Sequence, residues 1–320
     1  MSRQKNIICC GNIAFDLIAT GSDKHGMMFE TRPGGSVLNT AILLTRLGRS
    51  VSMLAKTGKD FLGDTLLGIM RAEKLETKYI AQDRNLKTGL AIAKIDKKGN
   101  PSYLFYKSHG KQNWFKKKQL PFHIFKKANV FHTGSTYSYN DRTFEDTLES
   151  MRRAKKENVF ITYDPNWRKF RIKNKEKARG RIKKLLSYVN LLKLSESDAA
   201  GITGARTLSG ALRRLPENTI VTLGNKGSFF WDGKKKIFHP AFKVHVVDTI
   251  GAGDAFTAGV IFRYCLKGKE AFRKEKKETL AFASAVSALV CTGRGSAEGL
   301  RNLRQVKRFL KLNKIYHPGP

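Results

Sequence analysis

The amino-acid sequence predicts an α/β fold with a three-layer core, a mostly parallel sheet flanked by helices, plus a small β-sheet lid. Apolar runs of strand length alternate with helical patterns along the 320 residues, separated by glycines or polar turns. Such alternation builds βαβ units, in which parallel strands lie beneath covering helices. Two segments, 15–32 and 88–107, break the alternation with strand-like patterns of their own.

The core elements follow one another in order. Residues 7–10 are an apolar strand, and residues 37–47 carry apolar side chains at helical spacing until Gly48 ends the helix. A strand at 51–55 and a helix at 61–73 come next. Four further strands, each followed by a polar turn and a helical pattern, are predicted at residues 130–132, 160–163, 191–194 and 219–223.

The two interrupting segments are predicted to form the lid. Residues 88–107 alternate apolar and polar side chains around a turn, which indicates a hairpin, and residues 15–32 hold strand-like pieces around another turn. The chain has no internal repeat and no linker rich in proline and serine. We therefore expect one domain, 1–320, whose lid edge can pair two subunits into a homodimer. The rest of the domain is the core, residues 1–14, 33–87 and 108–320.

The charge of the chain is unusual. Lys and Arg number 61 against 26 acidic residues, which gives a net charge of +35 and permits binding to a polyanion such as nucleic acid. The basic runs are spread along the chain and none forms a tail, as in a solvated surface. We expect no nucleic-acid partner and a field that attracts small anionic substrates. A catalytically silent, polyanion-binding protein is the alternative from a different class.

The four cysteines, Cys9, Cys10, Cys265 and Cys291, lack Cys-x-x-Cys spacing, and the first two lie in an apolar run. This pattern favours buried free thiols in a reducing compartment over disulfides or zinc ligands. The N-terminus shows no secretory pattern, and no window reaches the about 18 apolar residues that a membrane span needs. We expect a cytoplasmic protein with no membrane partner.

Residues 248–259, DTIGAGDAFTAG, are the strongest functional pattern. Gly251, Ala252 and Gly253 are small and open a helical pattern, so backbone N–H groups can approach a phosphate closely. Asp254 comes next, and beside a bound phosphate a carboxylate can take the proton of an attacking hydroxyl. The segment therefore predicts phosphoryl transfer, with Asp254 as the base and the three small residues as an anion hole. For a lone glycine-rich turn, a helix cap at Asp254 is the simpler interpretation.

Two segments together resemble the ribokinase-like (PfkB) carbohydrate kinases, and the chain is identified as a fructokinase-like member. The string at 248–259 is similar to the family's C-terminal signature. Residues 33–41, PGGSVLNTA, followed by LTRLG at 44–48, resemble its N-terminal signature. The resemblance implies a sugar kinase that uses ATP and Mg²⁺, with a Rossmann-like sheet and a small β lid.

By the same resemblance, four residues hold the sugar: Asp16, Gly34, Gly35 and Asn39. Asp16 ends the string GNIAFD at 11–16, which is similar to the family's first strand and turn. A carboxylate accepts hydrogen bonds from two hydroxyls, an amide both donates and accepts, and glycines let a sugar lie against the backbone. Without the resemblance, Asp16 is an ordinary turn residue and Asn39 lies at a helix N-terminus.

The resemblance places the nucleotide at two further segments. TLGNKGS at 222–228 looks like the family's T-x-G-x-x-G loop, so Thr222, Gly224 and Gly227 are expected near ATP. A separate segment that begins at Lys193 looks like the family's K-x-N-x-x-E pattern, and it assigns Lys193 to ATP.

The same segment bears on the metal. KLSESD at 193–198 has Ser and Asp where the family pattern has Asn and Glu, so either Glu196 or Asp198 faces Mg²⁺ through water. Of the two, Asp198 is favoured. The resemblance also implies a monovalent-cation site, such as one for K⁺, near Asp248 and residues 293–296.

Two further strings bear on the substrate. FYK at 105–107 resembles the aromatic–aromatic–Arg segment of fructokinases and 2-keto-3-deoxygluconate kinases, and DPNWR at 164–168 resembles their D-x-N-x-R. Phe105, Lys107 and Arg168 are therefore expected at the substrate. Lysine lacks the planar fork that suits a carboxylate, which favours fructose, converted to fructose 6-phosphate, over a sugar acid. A 2-keto-3-deoxygluconate kinase or another PfkB sugar kinase is the alternative, and a phosphorylated acceptor would need a basic cluster at the sugar's far end.

Overall fold

The computed structural model describes residues 6–95, 101–106 and 120–313. Its centre is a nine-stranded sheet. In chain order its strands are β1 (Asn6–Cys10), β4 (Val51–Gly58), β5 (Ile80–Asp83), β8 (Ala128–Gly134), β9 (Phe160–Asp164), β10 (Leu191–Ser195), β11 (Thr219–Thr222), β12 (Ser228–Trp231) and β13 (Lys236–His239). Across the sheet they run in the order β13-β12-β11-β10-β9-β8-β1-β4-β5.

Across the sheet, each strand from β5 at one edge to β11 is parallel to its neighbours. At the other edge, β12 pairs antiparallel with β11 and β13 pairs antiparallel with β12. The predicted mostly parallel sheet is therefore confirmed. In parallel strands the carboxyl ends meet at the same edge of the sheet, and ligands generally bind there. This edge carries Asp164 and Thr222, each the last residue of its strand.

Nine helices of the described ranges cover the sheet. They are α1 (Ser36–Arg46), α2 (Phe61–Ala72), α3 (Phe144–Lys156), α4 (Lys175–Leu186), α5 (Glu196–Thr203), α6 (Leu208–Leu212), α7 (Ala252–Lys274), α8 (Lys276–Cys291) and α9 (Leu303–Leu312). The first two confirm the helices expected at 37–47 and 61–73. None of the helices described is long and apolar enough to cross a membrane.

Alternation along β1 shows why the core has three layers. Ile7 and Cys9 pack into one apolar cluster with α1, α2, α7, α8 and α9, whereas Ile8 and Cys10 pack into a second cluster with α3, α4, α5 and α6. Successive side chains of a strand point to opposite faces, so a wholly apolar strand requires helices on both sides. All four cysteines are free thiols, and Cys9 and Cys10 are buried, as expected.

A separate four-stranded sheet is formed by the two segments that break the alternation. Its strands are β2 (Ala14–Asp23), β3 (Gly26–Gly34), β6 (Gly89–Ile95) and β7 (Pro101–Tyr106). β2 with β3 and β6 with β7 are antiparallel pairs, whereas β2 and β6 pair in parallel, a pairing that local sequence patterns do not predict. Gly34 ends β3 just before α1, and a Cβ there would lie 2.4 Å from the carboxyl carbon of Asp16. Glycine is needed at this position for Asp16 to fit.

Candidate active site

A cavity of about 660 Å³ lies where the small sheet meets the carboxyl edge of the central sheet. It is lined by residues of β2 and β6, by the start of α1 and by loops that follow β8 and β9. The cavity brings together six residues that the sequence assigns to the sugar and to catalysis: Asp16, Gly35, Asn39, Arg168, Gly251 and Asp254.

The N-terminus of α7 forms one end of this cavity. Gly251 precedes the helix with a φ of 78°, and a Cβ there would lie 2.6 Å from the carbonyl oxygen of Ser296, so both conformation and space require glycine. The helix begins at Ala252, whose turn presents backbone N–H groups without intrahelical partners. A Cβ on Gly253 would lie 3.0 Å from Lys193 Nζ, which places an ammonium group beside the helix start. Both features fit the charge of a phosphoryl group.

Asp254 is buried in the first turn of α7 and is held by two side chains of α1. Its Oδ1 accepts a hydrogen bond from Ser36 Oγ (2.6 Å), and its Oδ2 accepts one from Asn39 Nδ2 (2.8 Å). Burial raises the pKa of Asp254, whereas these two hydrogen bonds act to lower it. The two sequence signatures thus meet at one carboxylate. Sequence reasoning missed Ser36, although it lies between the assigned residues Gly35 and Asn39.

Asp16 is the second carboxylate of the cavity. Burial, followed by the charge of Asp254, raises its pKa to about 7, whereas Arg168 acts to lower it. The two carboxylates and the guanidinium therefore lie within electrostatic range of one another. Among the described residues, the buried Asn39 Oδ1 has no hydrogen-bond partner. A ligand with several hydroxyl groups would supply donors to this oxygen and to Asp16.

A buried ion pair lies behind the N-terminus of α7. Lys193 Nζ lies 2.9 Å from Asp164 Oδ2, and Thr257 Oγ1 donates to the same oxygen (3.3 Å). Burial opposes the charge of Lys193, but the charge and hydrogen bond of Asp164, together with the charges of Asp198 and Asp254, outweigh it and leave the pKa of Lys193 above its usual value. Lys193 thus carries its charge near Asp254. Asp164 was not among the predicted site residues, although it opens the predicted D-x-N-x-R string.

The predicted metal residue has two structural partners. Asp198 Oδ1 accepts from Trp167 N (2.9 Å), and Oδ2 accepts from Ser195 N (3.2 Å), which completes a capping box at the start of α5. Glu196 is exposed. Across residues 6–95, 101–106 and 120–313, no group of three His, Cys, Asp or Glu side chains could hold a metal ion. A water-mediated contact from Asp198 stays a prediction.

The glycine loop after β11 lies at the same edge of the sheet, outside the cavity lining. Thr222 pairs in register with Ser195, and its Oγ1 donates to Leu194 O (3.2 Å). Gly224 has a φ of 60° and Gly227 one of 118°. These glycines allow the tight turn between β11 and β12, and their contact with ATP stays a prediction.

Two of the remaining predicted residues, Phe105 and Asp248, lie in the small sheet and in the loop before α7. The backbone of Phe105 lies in β7 and pairs with Ala91, which lines the cavity. Lys107 lies outside the described residues. Asp248 is buried, and its carboxylate accepts from the backbone N–H groups of Ile250 (2.8 Å) and Gly295 (2.7 Å). A monovalent cation near Asp248 stays a prediction.

Comparison with known proteins agrees with this geometry. Residues 4–303 match the family described as pfkB family carbohydrate kinase. The chain is 28% identical over 318 residues to fructokinase-1 of Zea mays, across 95% of this chain and 97% of that one. Fructokinase with bound ATP from Xylella fastidiosa is similar in structure, with a TM-score of 0.86 and 25% identity across 97% of this chain and 99% of that one. This chain therefore belongs to the pfkB family of carbohydrate kinases.

Proposed function

We propose that this phosphotransferase moves the γ-phosphate of ATP to a hydroxyl of a ketose, with fructose as the acceptor and fructose 6-phosphate as the product. The observation that carries the proposal is the position of Asp254. It is a buried carboxylate, held by Ser36 and Asn39, at the N-terminus of a helix and inside a cavity with a second carboxylate, Asp16. A proton acceptor and an anion site thus share one cavity.

The residues have distinct roles in this reaction. Asp16 and the free acceptor oxygen of Asn39 bind sugar hydroxyls and orient the reacting one toward Asp254. Asp254 takes the proton of that hydroxyl as its oxygen attacks phosphorus. The N–H groups at the start of α7, together with Lys193, stabilise the negative charge that the transferring phosphoryl group carries. The small sheet closes over the sugar and excludes water.

ATP and Mg²⁺ fit the residues present. Lys193, the start of α7 and the Thr222 loop would hold the phosphates, and ATP supplies the phosphoryl group. The described residues offer no acidic cluster for direct metal coordination. A Mg²⁺ ion would be held mainly by the phosphates, and Asp198 would contact it through water.

Fructose is favoured because the relatives from Zea mays and Xylella fastidiosa are named fructokinases. The four free cysteines support a reducing compartment such as the cytoplasm. The homodimer would form at the lid, where Met27, Met28 and Phe29 of the edge strand β3 are exposed.

An acceptor screen tests the function. ADP release is followed with fructose, 2-keto-3-deoxygluconate, ribose and a nucleoside, for the wild type and for Asp254→Asn. We expect the highest kcat/KM with a keto sugar and a loss of turnover of about 10²–10⁴-fold in Asp254→Asn, the usual contribution of a general base. ATP binding should be unchanged. A variant with wild-type turnover, or a protein that phosphorylates none of the acceptors but binds RNA at physiological salt, would contradict the proposal.

A further inference from the structure

A second groove lies outside the sugar cavity, where the end of α1, the middle of α7 and the start of α9 meet. Its volume is about 710 Å³, and none of its lining residues lines the sugar cavity. We call it the α1–α9 groove. No acidic side chain lines it, whereas four of its lining side chains are cationic: Arg46, Arg49, Arg304 and Lys307.

The α1–α9 groove and the active site lie at different ends of two helices. α1 begins at Ser36, which contacts Asp254, and ends at Arg46 in the groove. Ten helical steps separate these ends by roughly 15 Å. α7 carries Asp254 in its first turn and reaches the groove at Leu266, roughly 18 Å further along the helix. The groove is therefore a separate site rather than an extension of the sugar cavity.

Arg49 is held rigidly in this groove. Its guanidinium carbon lies 4.5 Å from the centroid of the buried Phe262 ring, and that ring stacks on Phe282 with centroids 5.0 Å apart. The buried Nε of Arg49 has no hydrogen-bond partner among the described residues. Burial lowers the pKa of Arg49, so its positive charge is held at a cost. A guanidinium fixed by stacking is preorganised to donate to two oxygens of one anion.

The neighbouring Arg46 is compensated, in contrast. Its Nε donates to Glu73 Oε2 (3.0 Å), and its Nη1 donates to the carbonyl oxygens of Ala297 (2.6 Å) and Leu300 (2.9 Å). The three other cations of the groove form no ion pair within 4.0 Å with a carboxylate of the described residues. The groove therefore holds an excess of positive charge that an anion can balance.

The start of α9 adds N–H donors to these cations. Asn302 caps the helix by accepting from Gln305 N (3.1 Å), and the N–H groups of Leu303 and Arg304, its first two residues, have no intrahelical acceptor. Such a helix start favours a bound phosphate. A phosphate monoester carries a charge of about −1.5 to −2 at pH 7. This charge balances three cations better than the single charge of a carboxylate does.

We propose that the α1–α9 groove binds a phosphate monoester that carries an apolar group, at a site separate from the active site. The phosphate accepts from the guanidinium of Arg49 and from the N–H groups at the start of α9, and Arg304 and Lys307 complete the charge balance. The apolar group packs on Leu303 and on Leu266, which is 51% exposed. The inference does not depend on which sugar the active site phosphorylates.

Hydrogen–deuterium exchange measured by mass spectrometry tests the site, because an N–H group that gains an acceptor exchanges more slowly. The readout is a peptide that spans residues 298–310, so phosphate bound at the active site does not contribute. We expect phenyl phosphate to slow exchange in this peptide of the wild type. In Arg49→Gln the half-maximal concentration should rise about tenfold or more, since a charge-assisted hydrogen bond is lost.

The matched control is Arg308→Gln, which removes the same charge from an exposed position of α9 outside the groove lining. It should bind phenyl phosphate as the wild type does. If Arg49→Gln does not fold, Arg304→Gln takes its place with the same control. Inorganic phosphate and benzoate are the comparison ligands, and both should bind the wild type more weakly than phenyl phosphate.

Two results would overturn the site. One is the absence of slowed exchange at the start of α9 with phenyl phosphate. The other is an equal loss of affinity in Arg49→Gln and Arg308→Gln, which would indicate a diffuse positive field over α9 of the kind that a nucleic acid uses. Benzoate that binds as tightly as phenyl phosphate would overturn the assignment of a phosphate, and equally tight inorganic phosphate would overturn the apolar group.

Discussion

Replacement of Asp16 by Asn should make the folded protein more tolerant of alkaline pH while it weakens sugar binding. In the folded state the pKa of Asp16 is about 7, against 3.8 for the ordinary carboxyl. Each pKa unit is equivalent to about 1.4 kcal/mol, so ionised Asp16 costs the folded state on the order of 4 kcal/mol at pH 8. The cost arises mainly from burial and then from repulsion by Asp254.

The sign follows from the raised pKa. Between the unfolded and folded pKa values the folded state binds the proton more tightly, so this stability is complete below about pH 4 and is lost as pH rises through 7. Most of the loss, about 3 kcal/mol, falls between pH 5 and pH 8. The amide of the Asp16→Asn variant does not ionise in this range. The wild type should therefore lose about that much more unfolding free energy over this interval than the variant does.

Urea denaturation at pH 5 and pH 8 measures the difference. Asp23→Asn is the control, because Asp23 lies at the exposed far end of the same strand and Asn keeps the oxygen that accepts from His25 N and Gly26 N. In the same preparations, kcat/KM for the sugar should fall about tenfold or more in Asp16→Asn, since a charge-assisted contact is lost. Equal pH dependence of wild type and Asp16→Asn would refute the assignment of a costly buried charge to Asp16.

Three further changes test the surroundings of the site. Ser36→Ala removes a hydrogen bond that lowers the pKa of Asp254, so the acidic limb of the kcat profile should move to higher pH; an unmoved limb would exclude Asp254 as the titrating base. Asp164→Asn leaves the buried Lys193 without its carboxylate and should cost about 3–5 kcal/mol of unfolding free energy in urea. Gly259→Ala would place a Cβ 2.6 Å from the α8 backbone, so unfolding free energy should fall by about 1–3 kcal/mol, and an unchanged urea midpoint would contradict this packing.

The sequence predicts the layers well and the pairing less well. The spacing of apolar residues and the glycines that end helices and strands locate α1 and the strands, because these signals are local. The parallel pairing of β2 with β6 joins segments that are separated by the whole of α1 and α2, and no local pattern encodes it. Motif resemblance predicted that Asn39 and Asp254 share a site, and the structure adds the contact itself, across 215 residues of chain.

Asp198 shows why one pattern can support two interpretations. The string Ser195-x-x-Asp198 follows the same spacing as a capping box, in which each side chain bonds the other residue's backbone. The structure contains this capping box at α5. A water-mediated metal contact would use the same carboxylate, and sequence spacing alone cannot separate the two because both require an acid at this position.

Other cations that line the cavity, among them Arg142 and Arg181, were equally hard to predict, for the opposite reason. In the sequence, Arg142 and the lining cations between residues 171 and 181 lie among many other lysines and arginines, and each alone fits a solvated surface. Only the fold brings the loop after β8 and the segment after β9 to one cavity, because β8 and β9 are neighbours in the sheet.

The two carboxylates of the cavity are distinguished by their surroundings. Asp254 has two hydrogen-bond donors and the nearby Lys193 to favour its charged form, as a base requires. Asp16 has Arg168 as its compensating charge and a pKa of about 7. Hydroxyl donors from a bound sugar would stabilise the charge of Asp16, so sugar binding and ionisation of Asp16 are linked. Sugar affinity should therefore fall as pH decreases below 7.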